Sequence, residues 1–472
     1  MMDSTPLRLF TAAEAADVCS GRLAGSKNEN CEIYSVVIDS RKAVKGSLFV
    51  ALKGEKTDGH RYIADACAAG ASCVLAAISE REFVNNLPNT SSSVYIFVDD
   101  PLGGLQQLAR WWVSRFPDLV RIGITGSSGK TTTKEILRSI LSRGSQTRGN
   151  EGNLNSEIGL PLSLFSLRPG DRYGVFEMGI NFIGEMDILA DLYRPQYVVV
   201  TNIGTAHSGP LGGAEGILKE KTKAFRYFME ESVAFLPEDD PMLDSLKDSC
   251  GGRSVLFGRK SVDTVSHVVN RGLEGWDFTY QGNPVHFSLP GAYNLRNMLA
   301  AVAAAEYFNV PPGEVKSGIE AVSPLSGRST LHRGRLTIIE DSYNANADST
   351  CRVLDFFDTL EGEGRKITVL GSMKELGIDS MRLHDLVGRK VGETAVDAVF
   401  LFGRETERIC SYLQNTGFPG YCFYTDEFDI LLKQLLKFVI PGDTVLLKGS
   451  RAMELERLVE PLQQPQEVTL RV

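Results

Sequence analysis

The sequence predicts an α/β protein of three domains whose sheets are mostly parallel. One observation is an apolar strand, a glycine-containing loop and a helix in immediate succession over residues 121–141. Another is the alternation of short apolar runs with helical runs across the last third of the chain, which is typical of βαβ units. The third is the length of 472 residues, which corresponds to about three domains of roughly 150 residues each. We therefore expect domains at 1–116, 117–326 and 327–472.

Composition and charge exclude several classes of protein. The apolar fraction of 43% and the charged fraction of 23% are ordinary for a globular protein, and the net charge of −9 argues against nucleic-acid binding. The first residues lack the pattern of a signal peptide, and the uncharged run 197–214 contains asparagine, histidine, proline and glycines, which argue against a membrane span. Eight scattered cysteines without a Cys-x-x-Cys pair predict thiols in a reducing compartment. We expect a cytoplasmic monomer.

The first domain reads as a small α/β unit, in which Thr11 is expected to cap a helix that runs through Val18. Strand-like runs follow, and two polar turns surround the first of them. Ser40 and Arg41, in the first turn, are able to hold a phosphate by charge-assisted hydrogen bonds, and a plain surface turn is the alternative. The second turn carries Asp-Gly-His at residues 58–60.

Residues 121–134 have the features of a phosphate-binding loop. Such a loop can turn its backbone N–H groups around a phosphate, and the following helix adds its positive N-terminus. Lys130 is placed to reach the outer phosphates, and the Thr131 hydroxyl to bind magnesium. A glycine–serine turn before a helix is the alternative, because Ile124 stands where the strict pattern has a glycine.

Two more polar residues of the central domain follow apolar strands. Glu177 ends the run 173–176, and His207 comes after the run 197–203 and a glycine turn. Ligands of doubly wound sheets bind beyond the carboxyl ends of strands, so we expect the phosphate loop, Glu177 and His207 at one sheet edge. Glu177 offers oxygen ligands suited to magnesium. The alternative for Glu177 is a charged residue that merely ends a strand, and the alternative for His207 is a structural or surface histidine.

The central domain also contains two helices and a polar loop of interest. A helix over 215–228 carries three lysines, which by charge pattern form a solvated face. Asn294 and Asn297 share one helix face, and an asparagine amide can read an adenine edge; capping of the helix by Asn294 is the alternative. The glycine- and asparagine-rich segment 149–161 is either a substrate loop or a solvated one.

In the third domain, polar segments again follow the strand-like runs. They begin at Glu340, Gly371 and Lys448, and each follows a strand-like run of four residues. Because these segments follow strand ends, they are expected to face a common edge of a mostly parallel, Rossmann-like sheet. Each one taken singly is also compatible with a polar turn.

Together these motifs resemble the Mur ligase family over nearly the whole chain. The resemblance is carried by Asp-Ser-Arg at 39–41, Thr-Gly-x-x-Gly-Lys-Thr-Thr at 125–132, Tyr-Asn-Ala-Asn at 343–346 and Lys-Gly-Ser-Arg at 448–451. The chain departs from the family pattern at three positions, which are Tyr293 for a histidine, Ala347 for a proline and Lys223 for an acidic residue.

The resemblance implies an ATP-dependent ligase that forms an amide through an acyl phosphate. It implies UDP-N-acetylmuramoyl-tripeptide and D-alanyl-D-alanine as substrates, ATP with Mg2+ at two sites, and a lysine that CO2 carbamylates. The implied catalytic residues are Lys130, Glu177, His207 and Lys221, and the metal ligands are Thr131, Glu177, His207 and carbamylated Lys221. The implied ATP-binding residues are Thr125, Gly126, Ser127, Ser128, Gly129, Lys130, Thr131, Thr132, Asn294, Asn297, Arg328 and Asp341. The implied UDP-substrate residues are Ser40, Arg41, Asp58 and His60, and those of the dipeptide site are Asn344, Asn346, Lys448 and Ser450.

Three other functions remain open from the sequence, and another ligase of the same family is the first of them. A folylpolyglutamate synthase-like ligase shares the central domain, but such an enzyme does not account for the Asp-Ser-Arg region. A non-catalytic nucleotide-binding protein would bind ATP without releasing phosphate. It would also be expected to have lost Glu177 or His207, and the chain retains both.

Overall fold

The computed structural model describes residues 7–25, 30–54, 57–88, 93–204, 208–248 and 250–464. These residues form two compact units. The first unit comprises 1–123, 145–180 and 185–196, and the second comprises 124–144, 181–184 and 197–472. The strand Val120–Thr125 continues from the first unit into the second.

The first unit is an α/β structure around a five-stranded sheet. Its strands are Phe10–Thr11, Arg22–Gly25, Glu32–Ile33, Ser35–Val37, Ser47–Val50, Cys73–Ala77, Val94–Val98, Thr147–Gly149 and Tyr173–Glu177. Its α-helices are Ala12–Val18, Ile63–Ala68, Arg81–Asn85, Pro101–Ser114, Gly159–Leu164 and Glu185–Tyr193. Four strands of the sheet pair in parallel, and Arg22–Gly25 adds an antiparallel edge. Every residue of Cys73–Ala77 and Val94–Val98 is buried, as expected where both faces of a parallel sheet are covered.

The first helix begins where its sequence predicts. Thr11 is the N-cap, and its hydroxyl accepts a hydrogen bond from the Glu14 N–H at 3.2 Å. The Glu14 carboxylate accepts the Thr11 N–H at 2.7 Å, which completes a capping box. The predicted helix through Val18 is therefore confirmed.

The second unit contains three separate strand systems. Its strands are Tyr197–Val200, Val233–Pro237, Arg253–Phe257, Val265–Asn270, Trp276–Tyr280, Asn283–Phe287, Thr330–Arg333, Thr337–Asp341, Lys366–Gly371, Ala398–Phe402, Tyr421–Thr425 and Thr444–Lys448. Its α-helices are Lys130–Leu141, Ser208–Leu211, Gly213–Thr222, Ala292–Tyr307, Pro312–Glu320, Ala347–Asp358, Ser380–Gly392, Glu407–Thr416, Phe428–Phe438 and Val459–Gln463. The first three strands pair in parallel, and the next three form an antiparallel meander.

The remaining six strands of the second unit form one sheet. Thr330–Arg333 is its antiparallel edge, and the other five strands are parallel. Alternate residues of these strands belong to two different hydrophobic clusters, one on each face, because side chains alternate along a strand. Helices cover both faces, so this part of the chain has the predicted Rossmann-like βαβ arrangement.

The structure confirms the α/β class and the mostly parallel sheets. The predicted domain limits of 116 and 326 stay predictions. One predicted helix differs: its α-helical part is Gly213–Thr222, and Lys223–Phe225 continues as a 3-10 helix rather than reaching residue 228. Tightening of the last turn into a 3-10 helix is a common way for a helix to end.

Candidate functional site

The phosphate loop has a backbone that two glycines make possible. Gly126 has φ of +143° and Gly129 has φ of +79°, a region that residues with a Cβ rarely adopt. A Cβ on Gly126 would lie 1.9 Å from Thr201 Oγ1, and one on Gly129 would lie 2.4 Å from Asn297 Oδ1. Ile124, where the strict pattern has glycine, is a fully buried strand residue that packs in the core.

Hydrogen bonds from a neighbouring strand end hold this loop in place. The Ser127 N–H donates to Asn202 O at 3.1 Å, and the Ser128 N–H donates to Asn202 Oδ1 at 3.2 Å. In return, Asn202 Nδ2 and Thr201 Oγ1 donate to Ser128 O at 2.9 and 2.6 Å. The loop is thus preorganised by Thr201 and Asn202, two residues that the sequence motifs do not assign to the site.

The helix after the loop begins at Lys130, with Gly129 as its N-cap and no side-chain capping bond. The first N–H groups of any helix have no acceptor within the helix, and they favour an anion. Lys130 Nζ donates to Gly126 O at 2.8 Å, so the ammonium group lies across the loop. Thr131 is buried in the first turn, and Thr132 is half-buried beside it. This is the arrangement of a phosphate-binding site.

The two asparagines predicted at adenine lie on the helix Ala292–Tyr307, and both are buried. Asn294 Nδ2 donates to Pro290 O at 2.8 Å, and Asn297 Nδ2 donates to Asn294 Oδ1 at 3.5 Å. The N-cap of the helix is Gly291, so the alternative role of Asn294 as the cap is wrong. Asn297 lies against the phosphate loop at Gly129, whereas contact with adenine stays a prediction.

In the first unit, Glu177 ends its strand as predicted and is only 2% exposed. Two asparagines of the polar segment hold it. The Asn150 side-chain amide accepts the Glu177 N–H at 2.9 Å and donates to Glu177 O at 3.0 Å. Asn155 Nδ2 donates to Glu177 Oε1 at 2.6 Å. The Asn150–Asn155 segment therefore orients this carboxylate, which neither of its two sequence interpretations anticipated.

Lys221 lies on the helix Gly213–Thr222 with its side chain buried, so the predicted solvated face does not include this lysine. Its neighbour Glu220 is also buried; Glu220 accepts the Gly184 N–H at 2.8 Å and the Lys223 ammonium at 2.7 Å. Lys223 therefore forms an ion pair at the position where an acidic residue was expected. His207 lies outside the described residues.

The third group of predicted residues surrounds Asp341. Asp341 accepts the Ser329 N–H at 3.1 Å and pairs with the buried Lys448 ammonium at 2.7 Å. Lys448 also donates to Asn344 O at 2.7 Å. The Arg328 guanidinium lies 4.0 Å from the centre of the Tyr343 ring, a cation–π contact beside this cluster. The structure thus brings Arg328, Asp341, Asn344 and Lys448 together.

Asn346 and Ser450 have local partners in the same unit. Asn346 caps the helix Ala347–Asp358 by accepting the Ser349 N–H at 2.8 Å. Ala347 is the first helical residue, where proline is also favoured, so this departure from the family pattern leaves the turn intact. Ser450 Oγ accepts the Lys374 N–H at 2.9 Å, which brings Lys374 to this site although it was not among the predicted residues.

Lys374 is paired with Glu405 through two contacts of 2.7 and 2.8 Å. Burial by itself raises the pKa of the Glu405 carboxyl, but hydrogen bonds from Lys374 and Ser372 outweigh burial and lower this pKa to about 2.

His384, on the following helix, is buried; it accepts the Met373 N–H and donates to Ser380 O. Burial lowers the pKa of His384, which keeps the ring neutral.

The four residues predicted at the UDP substrate lie in the first unit, in two turns. Arg41 is 87% exposed and forms two hydrogen bonds with Asp39, whose pKa these bonds lower to about 2. Ser40 begins the same 3-10 helix. Asp58 lies 2.7 Å from His60 Nδ1, and His60 Nε2 accepts the Ala77 N–H at 3.0 Å. Both nitrogens of His60 are therefore engaged within the domain, and its contact with substrate stays a prediction.

Across the described parts of the chain, no three His, Cys, Asp or Glu side chains are grouped closely enough to hold a metal ion. None of the helices in those parts has both the length and the apolar composition needed to cross a bilayer.

Comparison with known families and proteins yields concordant matches along the chain. Family models described as the Mur ligase family catalytic domain, the Mur ligase middle domain and the Mur ligase glutamate ligase domain match residues 32–110, 124–305 and 327–451. The chain is 38% identical to the UDP-N-acetylmuramoyl-tripeptide--D-alanyl-D-alanine ligase of Treponema pallidum (strain Nichols), over 96% of this chain and 97% of the relative. Its identity to the enzyme of that name from Bacillus subtilis (strain 168) is 34%, over 96% and 98%.

Solved structures agree with the sequence relatives. A crystal structure of MurF from Acinetobacter baumannii matches with a TM-score of 0.85 and 29% identity, over 98% of this chain and all of that chain. MurF from Thermotoga maritima in complex with ADP matches with a TM-score of 0.75 and 28% identity, over 91% and 97%. The loop geometry, the three matched domains and the full-length relatives agree: the chain belongs to the Mur ligase family.

Proposed function

We propose that this chain is an ATP-dependent ligase that joins D-alanyl-D-alanine to UDP-N-acetylmuramoyl-tripeptide in peptidoglycan precursor synthesis. The observation that carries the proposal is the 38% identity, over 96% of the chain, to a relative named for this reaction. The phosphate loop supports it, because both glycines, Lys130 and Thr131 have the conformation or position that ATP binding requires.

The chemistry explains why such a reaction needs ATP. A carboxylate is a poor acyl donor because oxide would have to leave. Attack of the carboxylate oxygen on the γ-phosphorus breaks the bond to ADP and forms an acyl phosphate. The dipeptide amine then attacks the acyl carbon, loses a proton, and expels inorganic phosphate as the amide forms. Both steps bring anions together, so donors fixed in advance stabilise their transition states.

The role of this chain's residues in the first step follows from their placement. Lys130 exchanges its acceptor Gly126 O for phosphate oxygens when the nucleotide binds. The first-turn N–H groups of the helix Lys130–Leu141 face the same anion. Asn202 holds the loop through Ser128, so little reorganisation is needed. These groups bind and orient the phosphates that react.

Magnesium fits the donor types present. Thr131 and Glu177 offer hydroxyl and carboxylate oxygens, the ligands Mg2+ prefers, and Asn155 already fixes the Glu177 carboxylate by donating to Oε1. Bound magnesium would neutralise charge that develops on the phosphates. By the family resemblance, His207 and a carbamate of Lys221 are proposed to hold a second ion.

Carbamylation of Lys221 has one supporting observation in the structure. Its side chain is only 2% exposed, so Lys221 is not one of the solvated lysines of its helix. Reaction of the neutral amine with CO2 forms an N–C bond and releases one proton. The test is 13C NMR of the protein in 13C-labelled bicarbonate: wild type should show a carbamate signal that Lys221→Arg lacks. An unchanged spectrum in Lys221→Arg would refute the assignment.

The substrate residues are proposed by domain. Ser40, Arg41, Asp58 and His60 are assigned to the UDP part of the substrate, and the exposed Arg41 guanidinium supports this because phosphate can compete for its hydrogen bonds. Asn344, Asn346, Lys448 and Ser450 are assigned to the dipeptide side, and Asn294, Asn297, Arg328 and Asp341 to the nucleotide. We also propose a cytoplasmic location, which the eight free thiols support, and a monomer, which light scattering after gel filtration checks.

The decisive experiment measures phosphate release with ATP, Mg2+, UDP-N-acetylmuramoyl-tripeptide and D-alanyl-D-alanine, omitting each component in turn. We expect release only with all four, together with one new amide per phosphate detected by mass spectrometry. Phosphate release that persists without the dipeptide counts against the ligase. Competition by a pterin substrate would favour the folylpolyglutamate synthase-like alternative, and ATP binding without any release would favour a binding protein.

A further inference from the structure

A guanidinium group from the last third of the chain reaches the phosphate loop. Arg352 lies on the helix Ala347–Asp358, and its Nη1 donates to Ser128 Oγ at 3.5 Å, across 224 residues of sequence. The side chain is half-buried, and Ser128 is one of the loop residues that Asn202 fixes. No motif predicts this contact, because Arg352 stands in the middle of an ordinary amphipathic helix.

The same face of this helix carries a second residue that touches the loop region. Asp348 is four residues before Arg352, so the two share one helix face. A Cβ on Gly204 would lie 2.4 Å from Asp348 Oδ2, and the Gly204 N–H donates to Ser127 Oγ at 2.9 Å. The first two turns of the helix thus lie against the phosphate loop and its supporting strand end, which fixes where Arg352 points.

Three carboxylates act electrostatically on the Arg352 guanidinium, and Asp348, on its own helix face, is the first of them. Within the described part of the chain, no carboxylate forms an ion pair with it. Asp240 is engaged by the N–H groups of Ile203 and Met242, each at 3.1 Å, and Asp239 is paired with Arg296. Burial and then the nearby Arg296 lower the pKa of Arg352, and the carboxylates oppose this. A guanidinium has five donors, and the Ser128 contact uses one of them.

We propose that Arg352 is a nucleotide-binding residue that contacts an outer phosphate of ATP, and that the helix Ala347–Asp358 delivers it to the phosphate loop. Arginine suits this role, because its fork of N–H groups matches a phosphate and its charge persists in a half-buried position. The proposal rests on the proposed function, in that ATP is the nucleotide of the reaction. It adds a phosphate ligand from the helix that Asn346 caps, outside the loop motif.

The test compares binding of ATP and AMP by isothermal titration calorimetry in wild type, Arg352→Gln and Arg352→Lys. A charged hydrogen bond is worth about 1.5–3 kcal/mol, so Arg352→Gln should bind ATP roughly ten- to a hundredfold more weakly. Binding of AMP should stay within about twofold of wild type, because AMP lacks the outer phosphates. Arg389→Gln, at an exposed arginine of the helix Ser380–Gly392, is the matched control and should change neither value.

Arg352→Lys keeps the charge and decides the question if Arg352→Gln does not fold. It should lose about three- to tenfold in ATP affinity, because an ammonium group cannot form the two-pronged contact. Unchanged ATP affinity, or equal losses for ATP and AMP, would overturn the proposal and leave Arg352 a structural contact. If wild type forms product but Arg352→Gln binds ATP as tightly as wild type does, the role proposed for Arg352 is wrong and the ligase proposal stands. If wild type forms no product, the ligase proposal fails, and the ATP-to-AMP comparison still decides the role of Arg352.

Discussion

At the residue scale, the phosphate loop depends on groups that are individually small. Position 129 requires glycine for two reasons. Its φ is positive, and a Cβ there would lie 2.4 Å from Asn297 Oδ1. Lys130 supplies the charge, and its ammonium group is already held over the loop by Gly126 O. Asn202 supplies rigidity through Ser128.

Lys130→Ala should abolish ADP formation and leave binding of the UDP substrate nearly intact. The change removes the ammonium group at the outer phosphates, whereas the predicted UDP-substrate residues lie in another domain. The measurements are ADP release and calorimetric binding of UDP-N-acetylmuramoyl-tripeptide. Arg138→Ala, an exposed cation on the same helix, is the control and should retain activity. Equal loss of both properties in Lys130→Ala would show that the assignment is wrong.

Asn155→Ala should raise the Mg2+ concentration needed for half-maximal activity by about tenfold or more, the usual effect of losing a residue that orients a metal ligand. The reason is loss of the 2.6 Å hydrogen bond to Glu177 Oε1. Mg2+ titrations of activity at a fixed ATP concentration measure the shift. Asn153→Ala, at an exposed asparagine of the same segment, should leave the Mg2+ requirement unchanged. An identical Mg2+ dependence in Asn155→Ala and wild type would contradict this role of Asn155.

At the element scale, the helix Ala347–Asp358 combines local stability with function. Its N-cap Asn346 accepts the Ser349 N–H, and the Ser349 hydroxyl accepts the Asn346 N–H at 3.2 Å. The helix carries Asp348 and Arg352 toward the phosphate loop. Asn346 was predicted to serve the dipeptide, and the structure adds a capping role. A change there is therefore expected to alter stability even where it does not touch substrate.

Asn346→Ala should destabilise the second unit by about 1 kcal/mol, the usual cost of losing an N-cap, whereas Asn346→Asp should cost close to nothing. An aspartate still accepts the Ser349 N–H and adds a negative charge at the helix N-terminus. Thermal unfolding of the three proteins at one scan rate measures the difference. Equal losses in both variants would refute the capping role, and the KM for D-alanyl-D-alanine in Asn346→Asp separately tests contact with the dipeptide.

The pair of Lys374 and Glu405 should make stability depend on pH in the acid range. The folded pKa of Glu405 is about 2, below the unfolded value of about 4.3. A depressed pKa contributes stability that is present above the unfolded pKa and is lost as the pH falls toward the folded pKa. Wild type should therefore unfold at a higher temperature than Glu405→Gln at pH 6, and the difference should shrink between about pH 4 and pH 2. A difference that stays constant with pH would contradict the ionic origin.

At the scale of the whole molecule, sequence and structure agree that the chain contains thiols rather than disulfides. All eight cysteines are unpaired, and they differ in environment. Cys31 is half-buried, and a hydrogen bond from Cys73 lowers its pKa. Burial raises the pKa of Cys19 to about 12. Because the thiolate is the reactive form, these differences predict an order of modification in the folded protein.

In the folded protein at pH 7, iodoacetamide should modify Cys31 at least about tenfold faster than it modifies Cys19. Cys31 has both the larger thiolate fraction and the greater exposure to solvent. Peptide mass spectrometry after timed labelling measures the two rates. In guanidinium chloride without reductant, all eight thiols should titrate, and their rates should become similar. Fewer than eight titrating thiols would indicate a disulfide, and faster labelling of Cys19 would contradict the predicted order.

Much of the secondary structure and the phosphate loop could be predicted because each depends on a sequence pattern within a short stretch of the chain. The phosphate loop is one uninterrupted stretch in which glycine positions, Lys130 and the helix start define the backbone together. The strands and the Thr11 cap follow from short-range patterns in the same way, so their predictions were confirmed. The helix after residue 213 was predicted too long, because composition does not show where the last turn tightens.

The sequence by itself determined the α/β class, the phosphate loop and the resemblance to the Mur ligases, since each motif behind them consists of residues that are close neighbours along the chain. Only the tertiary structure decided which distant residues support that loop and its partners. Asn155 holds Glu177 across 22 residues, Asn202 holds Ser128 across 74, and Arg352 reaches Ser128 across 224. Chain neighbours have their separation set by covalent geometry, whereas these contacts exist only because sheets and helices return distant segments to one place.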